Sequence, residues 1–356
     1  MRLFATIKGM KKARVAINGF GRIGRLFFRA AFDKSSASQA RSGFDVVAIN
    51  DLGDIENLAY LLKYDTVYGR WDKEVGVKDG HLTVDGKDIR CLQVKDPAAL
   101  PWKELKIDVA VEATGFFESF EKAKAHITAG AKRAVITAPA KDPDGTEGKT
   151  VLMGVNEGEL ESVVLTSNGS CTTNAASPVI QIMSENPGIE KAILNTVHGY
   201  TATQNLVDGP TKGHDFRRGR AAGQNIVPST TGAAIAVTRA IPSLDGKFDG
   251  MAIRVPVATG SVADITFVAK RNVTEEELKD IFRKAAKEPR WKGILKVTED
   301  QIVSSDIVGE PYGAIIDLNF IDVVGGNLVR VLSWYDNEAG YVATLIKHIE
   351  RVAQLV

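Results

Sequence analysis

This sequence predicts an α/β chain in two unlike parts, a β–α–β part with a mostly parallel sheet and then an α+β part with a mainly antiparallel one. Three observations carry that reading. Residues 14–30 pass from a short apolar strand through a glycine turn straight into an amphipathic helix. Beyond residue 250 the pattern changes to long strands with one helix among them, which suits an antiparallel sheet covered on one side. The 356 residues also exceed what one simple core accommodates.

Taken in order, Arg14-Val15-Ala16-Ile17-Asn18 is the first strand and Gly19-Phe20-Gly21-Arg22-Ile23-Gly24 follows at once. Ile23, Leu26, Phe27 and Ala30 then share one helical face. In that setting Gly19 permits the tight turn, Gly21 lets a pyrophosphate approach the backbone, and Gly24 lets helix and strand pack closely. The phosphates would lie at the helix N-terminus, so this part reads as a Rossmann-type dinucleotide-binding domain. The second strand, 46–49, ends in Asn50-Asp51. An acid there accepts hydrogen bonds from the ribose hydroxyls and repels a 2′-phosphate, favouring NAD over NADP. Asp51 follows Gly24 by more than the roughly twenty residues usual for the motif. The polar stretch 33–43 is read as a surface-loop insertion that absorbs the excess.

Residues 54–63 repeat helical spacing, and 74–94 alternate in short runs broken at Asp79-Gly80 and Asp85-Gly86, which are hairpin signals. Cys91 is read as a packed strand residue. Residues 108–111 form an apolar strand of the kind buried on both faces, and Glu112-Ala113-Thr114-Gly115 is a small-residue turn placed to touch the cofactor. A helix over 119–129, a strand over 134–137 and a polar loop over 141–149 complete this part.

Ser167-Asn168-Gly169-Ser170-Cys171-Thr172-Thr173-Asn174 presents a thiol at a strand end. A helix from there to about residue 185 would turn its N–H groups and dipole toward the sulfur, favouring thiolate and offering oxyanion donors. Pro178 requires that helix either to bend or to be shorter. His198 ends another apolar run, and a Cys/His pair is the minimum for an activated sulfur nucleophile. Residues 203–224 lack apolar period and carry Lys212, His214, Arg217, Arg218 and Arg220, either a solvated loop or a grip on an anionic substrate. Pro228-Ser229-Thr230-Thr231-Gly232 opens an Ala-rich helix, a second candidate anion site, and Arg254 stands alone in an apolar strand, which asks for an anionic partner. Strands over 262–269, 314–321 and 328–334, with a helix over 274–286, make the α+β part. Tyr335-Asp336-Asn337-Glu338 caps a terminal helix whose stripe is Val342, Leu345, Ile346, Ile349 and Val352.

A net charge of +1 argues against a nucleic-acid binder driven by bulk electrostatics, and no apolar run is long enough to span a bilayer. Two cysteines cannot build a disulfide framework, so a reducing, cytoplasmic setting is expected, and no metal. The basic start, residues 1–12, reads as a leader, with Met10 as an alternative beginning.

Six strings carry a family resemblance: the glycine turn with Asn18, Ala48-Ile49-Asn50-Asp51-Leu52, the Cys171 octet, Thr196-Val197-His198-Gly199-Tyr200-Thr201, Met251-Ala252-Ile253-Arg254-Val255-Pro256 and Ser333-Trp334-Tyr335-Asp336-Asn337-Glu338. From about Arg14 onward the chain resembles phosphorylating glyceraldehyde-3-phosphate dehydrogenase. The resemblance implies Cys171 as nucleophile and His198 as its base, the two forming an ion pair. It implies Thr201, Arg217 and Arg254 for the substrate's phosphate, and Ser170, Thr172, Thr231 and Gly232 for attacking inorganic phosphate. Asn337 is similar to the residue that bonds the nicotinamide carboxamide, and Asp51 with Leu52 to the ribose-holding pair of NAD-preferring members. Gly19, Phe20, Gly21, Arg22, Ile23, Thr114, Gly115, Thr137 and Tyr341 complete the expected cofactor contacts.

The implied reaction is NAD-dependent oxidation of glyceraldehyde 3-phosphate with inorganic phosphate to 1,3-bisphosphoglycerate, through a cysteine thioester, in a homotetramer. The implied division is 1–170 for NAD binding, 171–336 for catalysis and 337–356 as a helix docking back on the first domain. Two departures stand out. Ala175 replaces a second cysteine usual four residues after the nucleophile, and Ala339 replaces an aromatic residue usual after Asn-Glu. The rival readings are an erythrose-4-phosphate dehydrogenase and a thiol-based redox-sensing or binding protein on the same scaffold.

Overall fold

The computed structural model describes residues 12–36, 43–211 and 213–356. The expected leader therefore lies outside the described residues apart from Lys12, whose Nζ is 2.8 Å from Asp45 Oδ1.

The first part alternates strand and helix as its sequence requires. In order come β1 (Ala13–Asn18), α1 (Arg22–Ser36), β2 (Phe44–Asn50), α2 (Ile55–Lys63), β3 (Val75–Lys78), β4 (His81–Val84) and β5 (Lys87–Leu92). There follow β6 (Val109–Glu112), α3 (Phe120–Thr128), β7 (Arg133–Ile136), β8 (Gly148–Thr150) and β9 (Leu165–Ser167). They form one nine-stranded sheet in the order β3-β4-β5-β2-β1-β6-β7-β9-β8. β1 runs parallel to β2 on one side and to β6 on the other, and the antiparallel pairs are confined to the β3–β4–β5 meander. The chain thus changes direction across the sheet at β1, and the crevice at the end of that strand is where an open α/β sheet takes a ligand. Both hairpin turns fall where Asp-Gly pairs predict them, with all four residues at positive φ.

Two details differ from expectation. Residues 33–36 belong to α1 and not to a loop, because the helix end is held from below: Asp33 accepts from Trp71 Nε1 at 3.2 Å, and Phe28 and Phe32 meet the Trp71 ring edge-on. The remainder of the expected insertion, 37–42, lies outside the described residues. Inside the expected loop 141–149, Asp144 accepts from Thr150 N and Oγ1 and so sets the short edge strand β8.

The second part comprises α4 (Cys171–Glu185), β10 (Ile189–Gly199), β11 (Val227–Thr230), α5 (Ala233–Ala240), β12 (Phe248–Val255) and β13 (Ser261–Ala269). It continues with α6 (Glu275–Ala285), β14 (Leu295–Thr298), β15 (Ala314–Val324), β16 (Leu328–Tyr335) and the terminal α7 (Ala339–Ala353). Seven strands pair in the order β11-β12-β10-β13-β16-β15-β14. The sheet is mainly antiparallel, with parallel pairing at β10–β12 and β14–β15. β13 alternates fully buried Ala263, Ile265, Phe267 and Ala269 with half-buried Val262, Asp264, Thr266 and Val268, as a sheet covered on one face must.

α4 runs unbroken through Pro178. Thr172 to Ile180 are all buried, and that burial outweighs the roughly 3 kcal/mol a proline costs inside a helix. Residues 228–230, expected to open α5, instead form the edge strand β11 against β12. An edge tolerates Pro228, and the helix begins only at Ala233.

The chain returns at its end: Val342, Leu345, Ile346, Ile349 and Val352 of α7 join the apolar cluster of Leu26, Phe27, Phe28 and Ala31 on α1. Cys171 packs against this cluster and also against the core of the second sheet. The thiol therefore sits on the seam between the two cores.

Candidate active site

The nucleophile loop is built by a reciprocal cap. Ser170 Oγ accepts from Thr173 N at 3.1 Å, and Ser170 N donates to Thr173 Oγ1 at 3.1 Å. This makes Cys171 the first residue of α4, so the unpaired N–H groups and positive end of the helix lie beside its sulfur. His198 comes from the end of β10, where parallel pairing sets it in register with Arg254 of β12. Cys171 Sγ and His198 Nε2 are 3.3 Å apart. His198 Nδ1 faces the Gly199 carbonyl at 2.6 Å and Arg254 Nη1 at 2.7 Å. The carbonyl calls for a proton on Nδ1 and the guanidinium for a lone pair there; in the tautomer the carbonyl favours, the Nε2 lone pair is directed at the sulfur, as a base requires. Tyr335 stands edge-on to the imidazole with ring centroids 5.9 Å apart. Its hydroxyl bridges Thr172 Oγ1 (2.8 Å) and Thr196 Oγ1 (2.7 Å).

Burial governs the charges here. It pushes the Cys171 thiol up, while Arg254 and the hydroxyl and N–H of Thr172 act the other way. Burial, helped by Arg254, pushes His198 down to about 3, with the Gly199 carbonyl opposing. Burial thus works against both charges of the expected ion pair, while Arg254 favours the thiolate half of it. On His198 the burial comes first, and the guanidinium beside Nδ1 adds to the penalty on an imidazolium.

Two clefts adjoin one another, and the first holds this pair. One, of about 400 Å³, is lined by Arg22, Ile23, Thr114, Gly115, Thr137, Ser170, Cys171, His198, Thr201, Arg254, Asn337 and Tyr341, among others. The second, of about 430 Å³, is lined by Gly19, Gly21, Asp51 and Leu52, and shares Ala113 and Thr114 with the first.

The glycine turn fits a dinucleotide. Gly19 has φ +97 and any Cβ there would lie 2.6 Å from the Ala113 and Thr114 backbone. A Cβ on Gly24 would lie 2.2 Å from Gly19 O, whereas one on Gly21 would meet nothing within 4 Å, which leaves room for a phosphate. Asp51 accepts from Phe20 N at 2.6 Å and Gly53 N at 2.8 Å, and each carboxylate oxygen keeps a lone pair for a ribose hydroxyl. Asn337 Oδ1 is taken up by Gly260 N and Ser261 Oγ, so its Nδ2 is the free end.

Other predicted residues stand apart from the clefts. Phe20 contributes its backbone N–H while its ring is buried. Thr172 is buried, with its hydroxyl on Tyr335. Thr231 Oγ1 accepts from Ala233 N at 3.2 Å, and Gly232 lies beside Pro139, which lines the first cleft. Arg217 is exposed and paired with Asp215 at 2.7 Å. Its neighbour Arg218 turns inward to Thr203 Oγ1 (3.2 Å) and Ser229 Oγ (2.7 Å). Arg22, on the wall of the first cleft, is clamped between Glu338 and Asp65, which raises its pKa.

Sequence reasoning passed over the groups that hold these in place. Glu112 receives Asn18 Nδ2 (2.6 Å), Thr114 N (2.8 Å) and His126 Nε2 (2.9 Å) beneath the cofactor turn. An acid ending a buried strand was the available signal for it. Tyr335 gave none beyond its place in a recognised string.

Comparison with known proteins accords with this arrangement. Residues 13–120 match the family model described as the glyceraldehyde 3-phosphate dehydrogenase NAD-binding domain, and residues 170–337 that of the C-terminal domain. Glyceraldehyde-3-phosphate dehydrogenase of Clostridium pasteurianum is 46% identical over 346 residues, covering 96% of this chain and 99% of that protein. Glyceraldehyde-3-phosphate dehydrogenase A of Escherichia coli is 47% identical over 341 residues, 95% of this chain and 99% of its own. That of Streptomyces coelicolor is 47% identical over 335 residues, 94% and 96% respectively. With near-full-length identity on both sides of a dinucleotide cleft that opens onto a Cys/His pair, the chain belongs to the glyceraldehyde-3-phosphate dehydrogenase family.

Proposed function

We propose that the chain oxidises glyceraldehyde 3-phosphate with NAD⁺ and inorganic phosphate to 1,3-bisphosphoglycerate, through a thioester on Cys171. The observation that supports this most is the 3.3 Å Sγ–Nε2 contact at the start of α4, in one cleft with Arg254, Arg22 and Ile23 and beside the cleft of the glycine turn. Gly19, Gly21, Asp51 and Asn337 would hold the dinucleotide, and NAD⁺, when bound, supplies the hydride acceptor.

Cys171 gives its proton to His198 Nε2 as the sulfur attacks the aldehyde carbon, and the first N–H groups of α4 face the oxygen that becomes negative. His198 gives that proton to the oxyanion, which becomes the thiohemiacetal hydroxyl, and takes it back as hydride departs, leaving a thioester. A sulfur ester retains the oxidation energy that a free acid would lose, and phosphate attack on it releases the acyl phosphate. Arg254 and Thr201 suit the substrate's phosphate. Arg217 would join them by exchanging Asp215 for that phosphate, since an exposed ion pair of this kind is worth little. Ser170, Thr172, Thr231 and Gly232 remain the proposed setting for the attacking phosphate, Thr172 acting through its N–H.

The division into 1–170, 171–336 and 337–356 and the cytoplasmic setting belong to the same reading. So does a homotetramer, supported by Leu206, Val207, Phe216 and Ile226, which stand 71–84% exposed around the basic loop of the single chain.

The test is steady-state NADH formation against phosphate concentration. Strong dependence with the three-carbon aldehyde is expected. Turnover independent of phosphate, or faster with erythrose 4-phosphate, favours the erythrose-4-phosphate rival, and absence of any NADH burst favours the redox-sensing one.

A further inference from the structure

Two histidines are wholly buried and take no part in the chemistry above, His126 and His348. His126 lies under the cofactor turn. His348 lies on α7 behind the nucleophile loop, and its bonds can be assigned one at a time. Thr344 Oγ1 gives its single proton to Tyr341 O at 2.8 Å. Toward Asn168 it can then only accept, so Asn168 turns Nδ2 to it, at 3.4 Å. Asn168 Oδ1 consequently faces His348 Nδ1 at 3.1 Å, which requires the imidazole proton on Nδ1. Nε2 is left to accept from the Thr166 hydroxyl at 2.8 Å. A neutral ring in this tautomer satisfies both the Asn168 and Thr166 side chains, and burial pushes the ring's pKa down to about 3, with the Val151 carbonyl opposing.

The Asn168 side chain fixed in this way belongs to the turn from β9 into α4. Asn174 Nδ2 donates to Asn168 O (2.8 Å) and Ser170 O (2.9 Å), and Tyr341 OH donates to Gly169 O (3.2 Å). Three consecutive carbonyls before Cys171 are thus tied, with α7 holding the turn through His348, Thr344 and Tyr341.

We propose that His348 is a positioning residue for Cys171, a hydrogen-bond relay that fixes the Asn168 amide and so the turn that sets Sγ against His198. The proposal rests on Cys171 being the nucleophile. Its consequence is that α7, remote in sequence, sets thiol reactivity without touching substrate or cofactor.

The experiment compares the full chain with His348→Leu, which removes donor and acceptor, His348→Gln, which keeps one of each, and Thr344→Val, which frees the amide to turn. Iodoacetamide alkylation of Cys171 across pH, the NADH burst rate and NAD affinity are measured on each. His348→Leu should slow alkylation and burst about tenfold or more, as loss of alignment does, with NAD affinity within about twofold. Its alkylation midpoint should also shift, His348→Gln should recover most of both rates, and Thr344→Val should show the same loss in smaller degree. A folded His348→Leu with the parent's alkylation profile and burst overturns the proposal. So does loss that merely parallels NAD affinity and is not rescued by Gln. If His348→Leu does not fold, Thr344→Val decides by the same measures. Alkylation of Cys171 that leaves turnover intact would instead overturn the nucleophile reading itself.

Discussion

Arg254 acts in two directions on the pair it faces: its charge favours thiolate on Cys171 and disfavours imidazolium on His198. Arg254→Leu should therefore raise both groups, slowing Cys171 alkylation at neutral pH while raising KM for the phosphorylated aldehyde about tenfold or more, as loss of a buried charged hydrogen bond does. An unchanged KM would remove Arg254 from the substrate site. Cys171→Ser separates the sulfur's chemistry from cofactor binding: acyl transfer should vanish while NAD titration gives the parent's affinity, because the clefts' shape is untouched. His348 supplies a pH signature. Its pKa is about 3 in the fold against an ordinary 6.5, so above the ordinary value folded and unfolded chains are alike. As pH falls through that window the unfolded chain takes a proton the fold refuses, and stability drops. The unfolding free energy of His348→Gln from urea titration should fall less steeply there, by about 1.4 kcal/mol per pH unit, the weight of one proton. Cys171, His198 and Arg254 were legible because each is a reactive type placed at a strand end or among apolar neighbours. His348 was not, since a histidine inside an amphipathic stripe looks like any helix residue until its partners Asn168 and Thr166 are known.

Elements were legible where local chemistry and tertiary demand agree. The glycine turn, the Asp-Gly hairpins and the α7 stripe belong there. Where they disagree, the tertiary demand prevails: Trp71 draws residues 33–36 into α1, edge pairing draws 228–230 into β11, and burial carries α4 through Pro178. β14 carries no marked period of its own and exists because β15 offers it a parallel edge. The three motif glycines make a sharper case, because each answers a different steric need. Gly24 is the most demanding, as its missing Cβ would press on Gly19 O at 2.2 Å and on Ile17 at 3.3 Å. Gly24→Ala should displace the start of α1, costing about 1–3 kcal/mol as overpacking does. NADH affinity should fall with it, because the same helix start holds the phosphates. Fluorescence titration and thermal melting check both, and an Ala variant binding NADH as the parent does would place the pyrophosphate elsewhere.

At the scale of the whole molecule the question is what joins two sheets with separate cores into one cleft, and Asp336 is the strongest answer. It is wholly buried. Its carboxylate receives Tyr68 OH (2.8 Å) from the first part, and Thr259 Oγ1 (3.1 Å) and Gly309 N (2.8 Å) from the second. At the start of α7 it receives Glu338 N and Ala339 N, both at 2.9 Å, and the helix dipole stabilises its charge. Arg22 adds a second strap nearby, from the glycine turn to Glu338. Asp336→Asn would replace one acceptor oxygen by an N–H pair facing donors, so several groups lose a partner at once. The expected cost is about 3 kcal/mol or more, against about 1 kcal/mol for Tyr68→Phe, which deletes one donor. Because the lost bonds tie one part to the other, calorimetry of Asp336→Asn should show the melting transition both lowered and split, whereas Tyr68→Phe should melt as one unit. NAD affinity and the Cys171 alkylation rate should fall together in Asp336→Asn, since each cleft wall belongs to a different part. A variant that melts as the parent does, or loses only one of those two properties, would show that the apolar seam around Cys171 and α7 suffices to hold the cleft closed.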